Sequence, residues 1–274
     1  MVARGASTER VSAPGVSEHL VTPETREELL RGRRLYAAPS APEHADPHLR
    51  LDVAVGTHVA PGYVGSTDLL TRVADDGDFA SDTCIRREGI DPATGQRYLE
   101  EMAFEVVNTQ RLSEVTAKAE DLAARGVRRV FAVFVRRGVV SEWRGDQWEA
   151  IPDDGHIEDR CLVAPLPVAA LLRASALGGA AVRGLLARGE PELVRLLKES
   201  EQQGVAQGVA QGVVQGELRG RRAVLRALLS ARGIVTSEED LARIEACEDG
   251  ATLDAWAVRA ASASRAAEVF GASA

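Results

Sequence analysis

The strongest constraint on the fold is a strand–helix–strand pattern between residues 97 and 135. The segment RYLEEMAFEVVN predicts a strand, and the next segment carries Leu112, Val115, Ala119 and Leu122 on one helical face. VRRVFAVFV then has the apolar, β-branched composition of a strand buried on both faces. Because strands joined through a helix are almost always parallel, the pattern predicts a βαβ unit.

Short turns on both sides of this unit predict antiparallel neighbours. The run DDGD at 75–78 separates STDLLTRVA from DFASDTCIRRE, and the turn at 91–96 leads into the first strand of the βαβ unit. After the second strand, a tight turn at 136–138 returns through VVSEWRGDQWEAI. The predicted fold class is therefore α/β with a mixed sheet.

Further patterns complete the domain organisation. A short helix is expected from Pro23 towards Gly32, then a strand stopped by Pro39, then a helix over 43–58 with Pro47 in its first turn. After residue 151 the strand patterns stop. The expected parts are a disordered tail (1–22), an α/β domain (23–150), a helical linker (151–200), and a Gly/Gln repeat helix with a small helical bundle (201–274).

Charge and cysteine content restrict the function. With 33 Lys and Arg against 41 Asp and Glu, the net charge is −8, which argues against coating nucleic acid or anionic membranes by bulk electrostatics. The three cysteines have no metal-knuckle spacing, and no run of about 18 apolar residues occurs. We expect a reduced, cytoplasmic protein with no membrane partner.

The hairpin around residues 93–94 brings two carboxylates together. If the turn centres there, residues whose numbers sum to 187 lie opposite one another, so Asp82 faces Glu105 and Arg86 faces Glu101. Two opposed carboxylates repel unless a cation lies between them, and Mg²⁺ is the usual occupant. The alternative is a pair of solvated carboxylates on an open sheet face.

Lys118 is the third candidate residue. It lies at the margin of the buried helical face, from which its ammonium could extend over the end of the Glu105 strand. The alternative is a surface pair with Glu114, four residues earlier.

These residues carry a family resemblance. SDTCI followed by FEVVNTQRLSEVTAKAEDLAARGVRRVFAVFV resembles the PD-(D/E)XK nuclease superfamily, and RRLYAAPSAPEH extends the likeness to the Uma-type endonucleases. Ser81 stands where the family has proline, and Val107 occupies the usual lysine position. The repeat and helical tail resemble the C-terminal extensions of Rpn-type nucleases.

The resemblance implies a restriction-endonuclease-like core with flanking helices, followed by an all-α C-terminal region. It implies Asp82 and Glu105 as ligands of Mg²⁺ (or Mn²⁺) and Lys118 as the lysine that in this family has moved onto the following helix. The accessory positions it implies are His44, Asp68 and Glu114. Arginines that could contact a DNA backbone are Arg86, Arg87, Arg111, Arg128, Arg129, Arg136 and Arg137.

Two functions remain open at this stage. One is a Mg²⁺-dependent DNA endonuclease, and the other is a catalytically silent binding protein that forms homo-oligomers through its helical C-terminus. The repeat GVAQGVAQGVVQGELRG predicts a long helix that is marginal unless it packs against a partner.

The remaining histidines give weaker signals. His156 lies among acidic residues that suggest a metal loop, but a solvated linker is the favoured interpretation. His19 and His48 have no companions at ligand spacing.

Overall fold

The computed structural model describes residues 13–36 and 41–271 and divides the chain into two units, one ending at Val194 and one beginning at Arg195. The strands are β1 (Glu27–Leu30), β2 (Arg33–Tyr36), β3 (Tyr63–Ala74), β4 (Gly77–Arg87), β5 (Glu100–Val107), β6 (Arg129–Phe134), β7 (Val139–Trp143), β8 (Trp148–Ile151), β9 (His156–Ile157) and β10 (Leu166–Pro167). The helices are α1 (Pro42–Gly56), α2 (Leu112–Arg125), α3 (Val168–Leu172), α4 (Ala174–Arg188), α5 (Pro191–Ala231), α6 (Glu238–Ala246), α7 (Gly250–Ala260) and α8 (Ala266–Phe270).

The first unit is built on a mixed eight-stranded sheet. β5 and β6 are parallel around α2, while β4 and β7 flank them antiparallel. Gly126 ends α2 at φ +117°, and its N–H reaches the carbonyls of Leu122 and Ala123. The predicted α/β class, the mixed sheet and the helical C-terminal region are confirmed.

Helices cover both faces of this sheet. On one face, Ala119 and Leu122 of α2 pack on Ala103 and Phe79. On the other, α1, α3 and α4 pack on the alternate residues of β5, among them Phe104. Since successive strand residues point to opposite faces, the odd-numbered residues of β5 between 102 and 107 face α2 and the even-numbered ones face α1.

One edge of β4 is only partly paired. β3 runs along its other edge from Tyr63 to Ala74, so β1 and β5 must share this one. β1 pairs at Leu29↔Asp78, and the β5 ladder begins at Thr83↔Phe104. Between these two contacts, residues 79–82 have no ladder partner on this edge in the described part of the chain. We call this segment the β4 gap.

The N-terminal predictions need two corrections. Residues 1–12 of the expected tail lie outside the described residues, but residues 13–22 pack on the domain, because the buried Asp78 accepts hydrogen bonds from the amides of Leu20 (2.5 Å) and Val21 (3.3 Å). The expected helix towards Gly32 is instead a short 3-10 turn and the β1–β2 hairpin. Its two-residue loop, Arg31 and Gly32, has positive φ at both positions, as a primed hairpin turn requires.

The expected linker at 151–200 is also wrong in its first half. Ile157, Cys161, Leu166 and Leu171 are fully or almost fully buried in the core on the α1 face. Two-residue strands, turns and the five-residue helix α3 contain these residues, so the segment lacks the periodicity that marks long elements. α1 runs from Pro42 to Gly56, so Pro47 lies inside the helix and not in its first turn as expected. The strand end expected at Pro39 lies outside the described residues.

The second unit has its own apolar core. The end of α5 and helices α6–α8 bury ten apolar side chains, with Trp256 edge-on to Phe270. A capping box at Ser237 begins α6, and the Asp249 carboxylate caps α7. Among the described residues, no helix is long and apolar enough to cross a membrane.

Asp78→Ala is expected to lower the free energy of unfolding by about 2–4 kcal/mol, because it removes a buried acceptor of two amide hydrogen bonds. Urea denaturation measures the change. Asp76→Ala, at the exposed β3–β4 turn, is the matched control and should change the free energy by less than about 0.5 kcal/mol. Equal effects of the two substitutions would contradict this account of residues 13–22.

Candidate functional site

Side chains replace the missing strand partner along the β4 gap. The Ala80 amide donates to Glu28 Oε1 at 3.0 Å, and the Ala80 carbonyl accepts from Lys118 Nζ at 3.3 Å. Further along, the amide of Val106 donates to Asp82 Oδ2 at 2.6 Å. Buried backbone groups must find partners, so the gap draws these charged side chains inward.

The predicted hairpin register holds next to the gap. The residue numbers of Thr83↔Phe104 and of the two pairs that follow all sum to 187, as predicted. The ladder ends at Thr83↔Phe104, one residue before Asp82 and Glu105, and there the Asp82 carboxylate accepts a hydrogen bond from the amide of Val106. The prediction that Arg86 faces Glu101 is wrong. A bulge places Arg86 opposite Glu100, at the turn end of the hairpin.

Lys118 extends inward from α2. Its Nζ lies 3.0 Å from Glu28 Oε2 and 3.8 Å from Glu105 Oε2, and it sits over the Phe79 ring at 5.2 Å from the centroid. Glu114, the alternative partner, instead binds Arg33 at 2.6 Å. Lys118 therefore belongs to a buried charge cluster, and a surface pair no longer describes it.

Glu105 is the least satisfied charge in this cluster. It is 8% exposed, and its Oε1 has no hydrogen-bond partner in the described structure. Burial raises the pKa of Glu105 well above its ordinary value; Lys118 opposes the rise, and Asp82 and Glu28 add to it. Burial alone would lower the pKa of Lys118, but Glu105 and Glu28 outweigh it, so the pKa of Lys118 is raised and the ammonium stays charged.

Sequence reasoning missed Glu28. The sequence pattern predicts a helix at this strand and gives no sign that the Glu28 side chain reaches the β4 gap. The available signal was the pattern Glu-Leu-Leu-Arg-Gly before a second short strand, typical of a hairpin with its loop at Arg31 and Gly32.

Asp68 stands in a strained conformation beside the gap. It lies between the pairs Thr67↔Thr83 and Leu69↔Ser81, across from Asp82, and its φ of +49° is unusual for a residue with a side chain. Burial raises the pKa of Asp68; His48 opposes the rise, and Asp82 adds to it. Such strain often accompanies functional sites.

The beginning of α1 adds two histidines. His48 Nε2 lies 2.8 Å from the Asp82 backbone oxygen, and the rings of His44 and His48 meet edge to face with centroids 5.8 Å apart. Ligand atoms of His44, His48 and Asp82 all lie within 4.8 Å of one another. The prediction that His48 has no companions is wrong, because positions four residues apart on a helix are neighbours.

The other predicted residues lie apart from this cluster or are already paired. Arg111 is exposed at the N-cap of α2. Arg87 binds Glu101, Arg129 binds Glu142, and Arg128 binds Asp159, one of the acidic residues near His156. Arg136 donates to the side chain of Asn108, and Arg137 lies over Phe134.

Glu105→Gln is expected to raise the free energy of unfolding at pH 8, because glutamine places no charge in this buried position. A carboxyl with a raised pKa contributes its stability at low pH and loses it as the pH rises through the folded pKa. The gain should therefore vanish near pH 4. Urea denaturation at both pH values measures it.

Glu101→Gln is the matched control on the same strand. Burial alone would raise the pKa of Glu101, but bonds from Arg160 and Arg87 hold it below its ordinary value, so this variant should be less stable at pH 8. That deficit should shrink as the pH falls. A Glu105→Gln variant less stable than the wild type at pH 8 would contradict the account of the buried charge.

Comparison with known proteins yields a partial structural likeness. No family model and no curated protein matches the sequence. Among solved structures, the crystal structure of a provisionally assigned nuclease belonging to DUF820 from Anabaena variabilis ATCC 29413 is similar, with 13% identity and a TM-score of 0.47. The match covers 54% of this chain and 90% of that one. A TM-score below 0.5 at this identity does not establish a shared fold.

Proposed function

We propose that the first unit is a metal-dependent DNA endonuclease of the PD-(D/E)XK type, with Asp82, Glu105 and Lys118 as its catalytic residues. One observation carries the proposal. Glu105 is buried with an unpartnered oxygen beside Lys118, and the amide of the next residue, Val106, donates to Asp82, where the β4 edge lacks a strand. Within the superfamily we propose the Uma type, and an Rpn-like role for the helical extension.

The residues fit a hard divalent cation. The free Oε1 of Glu105 is a buried acceptor that no described donor satisfies, and carboxylate oxygens are the ligands that Mg²⁺ and Mn²⁺ prefer. Asp82 and Glu105 would hold the ion. Bound there, it would supply charge neutralisation at the phosphate and lower the pKa of its bound water.

Lys118 holds a proton and a positive charge at the site. Glu28 fixes its ammonium at 3.0 Å on one side, and Glu105 lies at 3.8 Å on the other. From this position the ammonium can orient a water or pair with a phosphate oxygen. Val107, at the usual lysine position, is buried against Val115 of α2, which explains why the lysine comes from the helix.

DNA is the proposed partner, although few of the seven candidate arginines are free to contact it. Carboxylates already bind Arg87, Arg128 and Arg129. Arg111, exposed at the start of α2, is the remaining candidate nearest in sequence to Lys118. A phosphate contact by Arg111 would position the backbone without reading its sequence.

Plasmid nicking in Mg²⁺ or Mn²⁺ tests the proposal. Wild-type protein should nick supercoiled DNA, and EDTA should stop the reaction. The nicking rate of Glu105→Gln should be at least about a hundredfold lower, because the variant lacks an electrostatic group at the reacting centre. Glu101→Gln, which makes the same change on β5 away from the gap, is the control and should keep its rate. Absence of nicking by the wild type across DNA substrates and both metals would contradict the proposal.

We also propose that the C-terminal unit mediates self-association. Self-association is the function that the alternative hypothesis, a catalytically silent binding protein, assigns to this unit. Val205, Val209 and Val213 of α5 are 61%, 61% and 55% exposed, and a Cβ added at the glycines beside them would meet nothing. Side chains four residues apart form the ridges that interlock when helices cross at about −50°. These exposed valines support a second copy of the chain as partner.

Sedimentation velocity tests the self-association. Val209→Glu should lower the mass in solution towards that of the monomer, because a charge in the ridge is costly to bury. Gln211→Glu adds the same charge on the same helix outside the valine row and is the control. An unchanged mass in Val209→Glu would contradict the proposal.

A further inference from the structure

We infer that His44, His48 and Asp82 form a binding site for a single first-row transition-metal ion of the Zn²⁺ class. The site goes beyond the proposed hydrolysis, which is assigned to the carboxylates and Lys118. Asp82 belongs to both groups, but the histidines come from α1 and have no part in the chemistry described above.

The geometry is close to that of a bound ion. One ligand atom from each of the three residues lies within 4.8 Å of the other two. Ligands at about 2.1 Å from a tetrahedral ion are about 3.4 Å apart, so a movement of about 1 Å by side chains completes the site. All three side chains are partly exposed, so an ion can enter from solvent.

Neighbouring groups already orient the ligands. The bond between His48 Nε2 and the Asp82 carbonyl, at 2.8 Å, fixes the imidazole ring, and Asp52 Oδ1 lies 3.8 Å from the same nitrogen. Asp52 is itself held by hydroxyl hydrogen bonds from Thr67 (2.9 Å) and Thr83 (2.6 Å). Carbonyl and carboxylate partners of this kind typically support metal-binding histidines.

The donor set selects the ion. Two imidazoles and one carboxylate suit Zn²⁺, Co²⁺ or Ni²⁺, whereas Mg²⁺ prefers oxygen ligands. Three protein ligands leave at least one coordination position for water or another small ligand, as in open zinc sites.

Titration of the full-length, untagged protein with Co²⁺ tests the inference, with the visible absorption of the bound ion as the readout. At mildly alkaline pH and in millimolar Mg²⁺, one equivalent of Co²⁺ should bind, and Zn²⁺ should displace it. His44→Ala and His48→Gln should each weaken binding about tenfold or more. Gln can still donate to the Asp82 carbonyl, and circular dichroism verifies the fold of each variant.

Two controls separate this site from the others. His156→Ala removes an exposed histidine on β9 and should bind Co²⁺ as the wild type does. Glu101→Gln should also bind Co²⁺ as the wild type does. Because Co²⁺ binding and nicking in Mg²⁺ are separate measurements, failure of the nuclease proposal and failure of this site are distinguishable. Wild-type affinity in His44→Ala and His48→Gln, equal weakening in His156→Ala, or no Co²⁺ binding by the wild type would overturn the inference.

Discussion

The site depends on an interruption in the pairing of one strand edge. β4 has a complete partner in β3, but β1 and β5 divide its second edge and leave residues 79–82 between them. Backbone groups in a sheet interior require hydrogen-bond partners, and Glu28, Asp82 and Lys118 supply them. The same shortage of strand partners thus explains why charged side chains meet inside an otherwise apolar sheet.

This arrangement has an electrostatic cost. Glu105 is buried, the charges of Asp82, Glu28 and Asp68 act against its ionised form, and the ammonium of Lys118, 3.8 Å away, favours it. Buried charges of this kind contribute little to stability and are expensive to leave uncompensated. An apolar residue at position 105 would make the domain more stable than a buried glutamate does. This cost is the reason for which we propose that Glu105 has a catalytic role.

The βαβ unit could be predicted because its signals are local. The apolar periodicity of α2 and the glycine after it define the helix, and the symmetry of the turn at 93–94 fixes the register up to Thr83↔Phe104. The Glu28 hairpin and the His44–His48 spacing have local signals, but the contacts of Glu28 and His48 with β4 could not be predicted, because they depend on which elements meet β4. The burial of Ile157 and Leu166 was missed for a related reason, since two-residue strands carry almost no periodicity.

The most direct measurement is a crystal structure of the full chain grown with Mn²⁺, with the metal located by anomalous scattering. We predict an anomalous peak at about 2.2 Å from carboxylate oxygens of both Asp82 and Glu105. The ion pair between Lys118 and Glu28 should be retained. A structure in which no peak contacts Glu105, even where Mn²⁺ occupies the histidines of α1, would contradict the central claim that Glu105 is buried to hold a cation.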